Sequence, residues 1–307
     1  MADQAEKLRE LVGGAGSASS ATAGSPSPRK DKEPRQSTGG RKATRIIAVS
    51  SGKGGVGKTN IAINLALAYA QAGKKVIVMD ADLGLANVNV VLGVIPRYNL
   101  YHLIRKQKTL SEILVETSYG IKIIAGASGF SKIANLTEEE RREFIAELAA
   151  LSNADILIID CAAGVSNNVI SFIAAADDAL IVTTPEPTAI TDAYGIIKII
   201  ATEIENLDLG LKLVVNRVKS VVEGKKVAER VINIAGQFLN LKVDYLGFVY
   251  DDPVVHSSVV RQKPFLVFDP KSRASVCVRH LLGRLEHVDY RDGKGIPVFL
   301  KKLFGAK

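Results

Sequence analysis

The stretch 52-GKGGVGKT-59 leaves a chain few ways to fold. It follows the apolar run 45-RIIAVS-50 and leads straight into NIAINLALAYAQAG, where apolar residues continue with helical period. A buried strand, a glycine-rich turn and a helix in that order aim successive backbone N–H groups, at the positive end of the helix, toward one point. That arrangement is a cradle for phosphate oxygens. The spacing G-x-x-x-x-G-K-[ST] assigns its parts. Gly52, Lys53, Gly54, Gly55, Val56 and Gly57 wrap the phosphates, Lys58 reaches the β- and γ-phosphates, Thr59 offers a hydroxyl to Mg2+, and Asn60 opens the helix beside them. ATP or ADP with Mg2+ is the expected ligand.

The rest of the chain repeats the alternation. Apolar runs begin at 75-KVIVMD, 121-IKIIAG, 155-DILIID, 178-DALIVTT, 211-LKLVVN and 245-YLGFVY. Helical patterns fall near 58–72, 137–151, 167–176, 188–206, 223–240 and 272–288. Strands so uniformly apolar are covered on both faces. The expected fold is therefore α/β over 45–290, a doubly wound, mostly parallel sheet with helices on both faces. Ligands of such sheets lie at the C-terminal ends of the strands. Two of those ends carry carboxylates: Asp80 and Asp82 in 79-MDADLG-84, and Asp160 in 155-DILIIDCAAG-164. Asp160, closing an apolar strand, is the candidate for a Mg2+-bound water, and the Gly164 backbone for sensing the γ-phosphate.

Charge separates the flanks from this body. The net charge of +8 resides in residues 1–45 and 291–307, each carrying +4, while 46–290 is neutral. That distribution argues against nucleic acid as the main partner, which a basic chain would otherwise suggest. Residues 13–44 are rich in Gly, Ser, Ala, Thr and Pro and read as a flexible linker. Residues 1–12 ahead of it are expected to be either a plain polar start or a short helix that docks on a partner. No run approaches the roughly 20 apolar residues of a spanning helix, and the start lacks a signal-peptide core. Cys161 and Cys277 are the only cysteines and read as free thiols of a reducing cytosol. The four histidines read as ordinary surface or core residues.

The C-terminal 291–307 is a different kind of flank. Pro297 suits a first helical turn. On a helix, Phe299, Leu300, Leu303 and Phe304 share one face, with Lys301, Lys302 and Lys307 on much of the rest. Such a helix either lies in an anionic membrane surface or packs on its own domain.

The second lysine of the loop, Lys53 in K-G-G-V-G-K-T, resembles the signature lysine of the MinD/ParA, or deviant Walker A, ATPases. The resemblance implies that Lys53 crosses to the phosphates of a partner subunit in an ATP-held homodimer. It implies catalytic roles for Lys53, Lys58 and Asp82, with Asp82 orienting the attacking water and Asp80 near the metal shell with Thr59 and Asp160. It also places Asn216 and Arg217 of 211-LKLVVNR-217 at the adenine, with Tyr250, Asp251 and Asp252 close by. Cys161 and Ala162 depart from the usual D-[ST]-[PG]-A-G pattern at the switch strand.

Within that class, 3-DQAEKLREL-11 is similar to the D-Q-A-x-x-L-R start of FlhG-type (FleN, YlxH) flagellar-number regulators. There the motif docks on the signal-recognition-type GTPase FlhF, so Asp3, Gln4, Ala5, Leu8 and Arg9 become partner-binding candidates. FLKKLFG resembles the membrane-targeting tail of the septum-site protein. The implied function is an ATPase cycling between cytosolic monomer and ATP dimer on the inner face of the cytoplasmic membrane. It controls flagellar number or placement through FlhF and flagellar basal-body or regulatory proteins. The alternatives are a DNA-binding ParA-type partition ATPase, a septum-site MinD-type regulator, or a binder that antagonises a transcription activator.

Overall fold

The most apolar stretches of the chain are its strands, and they form one sheet. A computed structural model describes residues 43–82, 87–126, 138–204, 209–239, 241–288 and 293–304. The expected docking segment, with Asp3, Gln4, Ala5, Leu8 and Arg9, lies outside the described residues, as do 13–42 of the linker and Lys307.

The strands are β1 (Arg45–Ser51), β2 (Val76–Ala81), β3 (Leu114–Glu116), β4 (Lys122–Ile124), β5 (Ile156–Ala163), β6 (Asp178–Thr183), β7 (Gly210–Val218) and β8 (Asp244–Tyr250). Their spatial order is β3-β4-β2-β5-β1-β6-β7-β8. Every neighbouring pair is parallel except β3 with β4. All seven residues of β1 and all six of β2 and of β6 are buried, which explains why these runs show no polar alternation. β1 lies at the centre, and the chain leaves it toward β2 on one side and returns to β6 on the other. The phosphate loop thus follows the strand where the winding reverses, where α/β sheets hold ligands.

Eight helices of two turns or more cover the sheet among the described residues: α1 (Lys58–Gln71), α2 (Glu138–Leu148), α3 (Asn167–Ala175), α4 (Pro187–Glu203), α5 (Val221–Leu239), α6 (Pro253–Val260), α7 (Arg273–Gly283) and α8 (Ile296–Phe304). α1 has no polar face because the sheet and α7 enclose it, and even Asn64 is fully buried. Two of these strands and longer helices escape the sequence reading. β3 is two half-buried residues and one exposed, with no period to detect. α6 lies in a segment without apolar period and is set by Asp252, whose carboxylate accepts from Val254 N–H at 3.0 Å just before Pro253.

At the N-terminal ends of the strands, buried charges tie the chain's flanks together. The Arg45 guanidinium reaches Asp178 at 2.7 Å and Glu286 at 3.2 Å. The Asp177 carboxylate accepts from Ile46 N–H at 2.9 Å and from Lys294 N–H at 3.1 Å, so one side chain holds both the first strand and the root of α8. Beyond it, α8 lays its apolar face on the domain. Ile296, Phe299, Leu300 and Phe304 are buried in the same core as α3, while Val298, Lys301 and Lys302 are exposed and Leu303 is half-buried. The Phe304 ring meets Phe144 of α2 edge-on, with centroids 5.7 Å apart.

Candidate nucleotide site

Close packing fixes the loop. Gly57 caps α1 with φ 95°, and a Cβ there would sit 2.4 Å from the Asn216 amide nitrogen. A Cβ on Gly52 would fall 2.1 Å from the Asp192 carbonyl of α4. Both positions therefore require glycine for contact, and Gly57 for its left-handed backbone as well. The Ser51 hydroxyl donates to the Lys53 carbonyl at 2.7 Å and steadies the turn. Lys58 begins α1 almost buried at the mouth of the cradle.

The carboxylates meet where β2 and β5 run side by side, with Asp80 and Asp160 register partners. Asp160 is buried, and one of its oxygens, Oδ1, has no hydrogen-bond partner; the carboxylate also engages the Thr59 side chain. Burial pushes its carboxyl up to about 7, against the Thr59 hydrogen bond and with the neighbouring charge of Asp80 adding to it. A buried, unpartnered carboxylate oxygen beside a hydroxyl and a lysine fits a magnesium ion. Mg2+ at phosphate sites takes one or two protein oxygens and completes its shell with water and phosphate. Among the described residues no cluster of three or more His, Cys, Asp or Glu forms an all-protein metal cage.

Asp80 is placed differently from Asp160. Its Oδ1 accepts from Asp82 N–H at 3.0 Å, and its Oδ2 from the N–H groups of Asn87 and Val88 at 3.0 and 3.2 Å. Both oxygens thus organise the backbone that carries Asp82. Burial raises its carboxyl to about 6, offset in part by those same N–H groups. The Gly164 N–H donates to the Ser51 carbonyl at 2.9 Å, joining the end of β5 to the loop.

A cleft of about 890 Å3 opens from the loop toward the ends of β6, β7 and β8, lined by Gly57, Asn60, Asn216, Arg217, Tyr250 and Asp251 among others. It brings together the residues expected around the base. Asn216, expected at the adenine, donates to the Val56 carbonyl at 2.7 Å and so braces the loop. The Arg273 guanidinium lies 3.6 Å from the Tyr250 ring centroid, covering one ring face. Asp252 spends one oxygen on α6 and the other on Ala274 N–H at 3.1 Å, leaving Tyr250 and Asp251 as the freer pair. A second, more apolar hollow of about 810 Å3, lined by Leu110, Leu114 and Lys122 among others, holds none of the loop or carboxylate residues.

Several site residues carry no signal of their own in the sequence. Asn64 links the loop helix to the chain at Leu266, donating to Asn60 O at 2.7 Å and accepting from Leu266 N–H at 2.8 Å. Thr184 lines the cleft with a buried, unpartnered hydroxyl. Glu186 and Thr188 receive the Lys53 ammonium at 2.9 and 2.8 Å. Only long-range contact defines these roles.

A central P-loop, a carboxylate at the end of the adjacent strand and a cleft running from the loop across the winding reversal define a P-loop ATPase of the MinD/ParA type. Residues 44–213 match the family model described as AAA domain. The chain is 36% identical over 246 residues to the antiactivator FleN of Pseudomonas aeruginosa, covering 79% of this chain and 86% of that protein. It is equally 36% identical over 256 residues to the flagellum site-determining protein YlxH of Helicobacter pylori, covering 83% and 86%. Among solved structures it superimposes on the septum site-determining protein MinD of Pyrococcus horikoshii complexed with Mg-ADP. That match has TM-score 0.65 and 25% identity over 82% of this chain and 99% of the other. The chain belongs to the MinD/ParA family of ATPases, in its FlhG-type (FleN/YlxH) branch.

Proposed function

We propose that this ATPase is a nucleotide-operated switch controlling flagellar number or placement. ATP and Mg2+ bind across the loop and the cleft, Asn216, Arg217, Tyr250 and Asp251 face the adenosine, and two protomers close on the nucleotide with Lys53 of each reaching the other's phosphates. Thr59 and, through a water, Asp160 would hold Mg2+, which would supply charge neutralisation on the phosphates. Asp80 acts from outside that ligand set, orienting the segment that brings Asp82 to the attacking water. Lys58 and the incoming Lys53 offset the charge that develops as the γ-phosphoryl leaves.

The observation that carries the switch is the seat of α8. Its apolar face rests on α3, the helix that starts three residues after Gly164. The Gly164 N–H bonded to Ser51 is the group that a γ-phosphate recruits, and its movement is transmitted to α3 and so to the groove under α8. Release frees Phe299, Leu300, Leu303 and Phe304 for a membrane surface and Lys301 and Lys302 for anionic headgroups. One such helix binds weakly; a dimer presents two, and they bind together by avidity. YlxH is a flagellum site-determining protein by name, which supports flagellar output, and FleN is an antiactivator, which supports a regulatory one. Asp3, Gln4, Ala5, Leu8 and Arg9 dock on an FlhF-type GTPase.

Co-sedimentation with anionic vesicles tests this reading. Binding that requires Mg2+ and ATP and disappears on deleting 296–307 is the expected result. An ATP-dependent, salt-sensitive shift of non-specific DNA without vesicle binding would instead identify a partition ATPase. A peptide of residues 1–12 that stimulates FlhF GTPase activity identifies the partner.

A further inference from the structure

The signature lysine is not idle in the single protomer. The Lys53 ammonium donates to Glu186 Oε2 at 2.9 Å and to Thr188 Oγ1 at 2.8 Å, both at the start of α4. Glu186 is the residue before that helix, and its side chain does not cap the helix, so its carboxylate is available to the lysine. The seat is also pre-built: Gly52 presses on the Asp192 carbonyl of the same helix, and Ser51 fixes the backbone at Lys53. The loop and α4 therefore hold each other in register, and the Lys53 side chain only has to lie down. The Lys53 hydrogen bond, and then its charge, keep the Glu186 carboxyl below the usual glutamate range.

We propose that Glu186 and Thr188 are positioning residues that hold Lys53 on its own protomer and thereby set how readily ATP drives dimerisation. The inference rests on the reading that Lys53 acts across the dimer. A lysine that crosses must first leave Glu186 and Thr188, so this hold opposes assembly. The pair is partly exposed, with side-chain exposures of 38% for Lys53 and 55% for Glu186, so the hold is weak and reversible. Exposed pairs of this kind shift an equilibrium about twofold to fivefold. A dimer breaks two of them, which amounts to about fourfold to twenty-fivefold in its dissociation constant.

The test is the dimer dissociation constant of the full chain with Mg2+ and AMPPNP, measured by analytical ultracentrifugation. Glu186→Ala tightens the dimer by about fourfold to twenty-fivefold. Thr188→Val gives a smaller gain of the same sign, and Glu186→Gln, which keeps an acceptor but not the charge, falls between wild type and Glu186→Ala. About 1 M salt narrows the difference by screening the wild-type pair. On a Lys53→Ala background Glu186→Ala brings no gain. The proposal is overturned if Glu186→Ala weakens the dimer or leaves it unchanged, or if the gain persists without Lys53. A Lys53→Ala protein that dimerises like wild type refutes the underlying trans-lysine reading instead.

Discussion

Truncating Phe144 separates two states that otherwise share the same residues. In the proposed switch Phe299, Leu300 and Phe304 serve α8 both when it is docked and when it enters a membrane surface, so altering them weakens both. Phe144 serves only the docked state: it is 5% exposed, and its ring stands edge-on to Phe304 at 5.7 Å. Phe144→Ala costs the domain about 3–5 kcal/mol in all, as other buried aromatic truncations do. Part of that falls on α8. Losing the aromatic pair costs about 1 kcal/mol, and uncovering roughly 40 Å2 of the Phe304 ring about 1 more. Together these favour undocking by about 2 kcal/mol, or roughly 30-fold in the docked-to-free ratio. The assay is flotation with anionic vesicles in Mg2+ and ADP, where wild type stays unbound and Phe144→Ala gains binding. Phe304→Ala, which loses insertion as well as docking, gains much less. A Phe144→Ala protein whose urea midpoint falls while its vesicle partition in ADP stays at the wild-type level refutes the competition between groove and membrane.

Three further outcomes follow from the geometry. Lys58→Ala removes the one lysine buried at the cradle and abolishes both nucleotide binding by calorimetry and ATP-dependent dimerisation. Asp82→Ala binds ATP but does not turn it over, and accumulates as a vesicle-bound dimer; normal phosphate release from that variant would show that Asp82 does not position the attacking water. Asp177→Ala leaves the N–H groups of Ile46 and Lys294 without their acceptor, costing about 1–3 kcal/mol for each by urea denaturation. It also loosens the root of α8, so hydrogen exchange at 294–300 rises more than in the strands β5 and β6.

Much of this architecture was legible in the residues because the parallel sheet is covered on both faces. Seven of the eight strands announce themselves as apolar runs, and the loop motif marks its own neighbours as strand and helix. β3 was invisible because three edge residues, paired only with β4, carry no period. The site was legible where a motif is contiguous, as with Gly52 to Asn60, and where a carboxylate closes an apolar strand, as with Asp160. It was hidden where partners lie far apart in the chain. Lys53 is separated from Glu186 by 133 residues, and Asn64 from Leu266 by 202. Charge counting also misses Arg45 and Asp178, since composition records two opposite charges but not that they are buried against each other. For α8, periodicity supplied the apolar face, but only packing with α3 and Phe144 located its resting place.

The central claim is that nucleotide state sets the number of protomers. Mass photometry of full-length Asp82→Ala protein, with Mg2+ and either ADP or ATP, measures it directly without vesicles or partners. The account predicts one species of 32.8 kDa with ADP and a species of twice that mass with ATP, lost again when Lys53→Ala is added. The same mass with both nucleotides would contradict it.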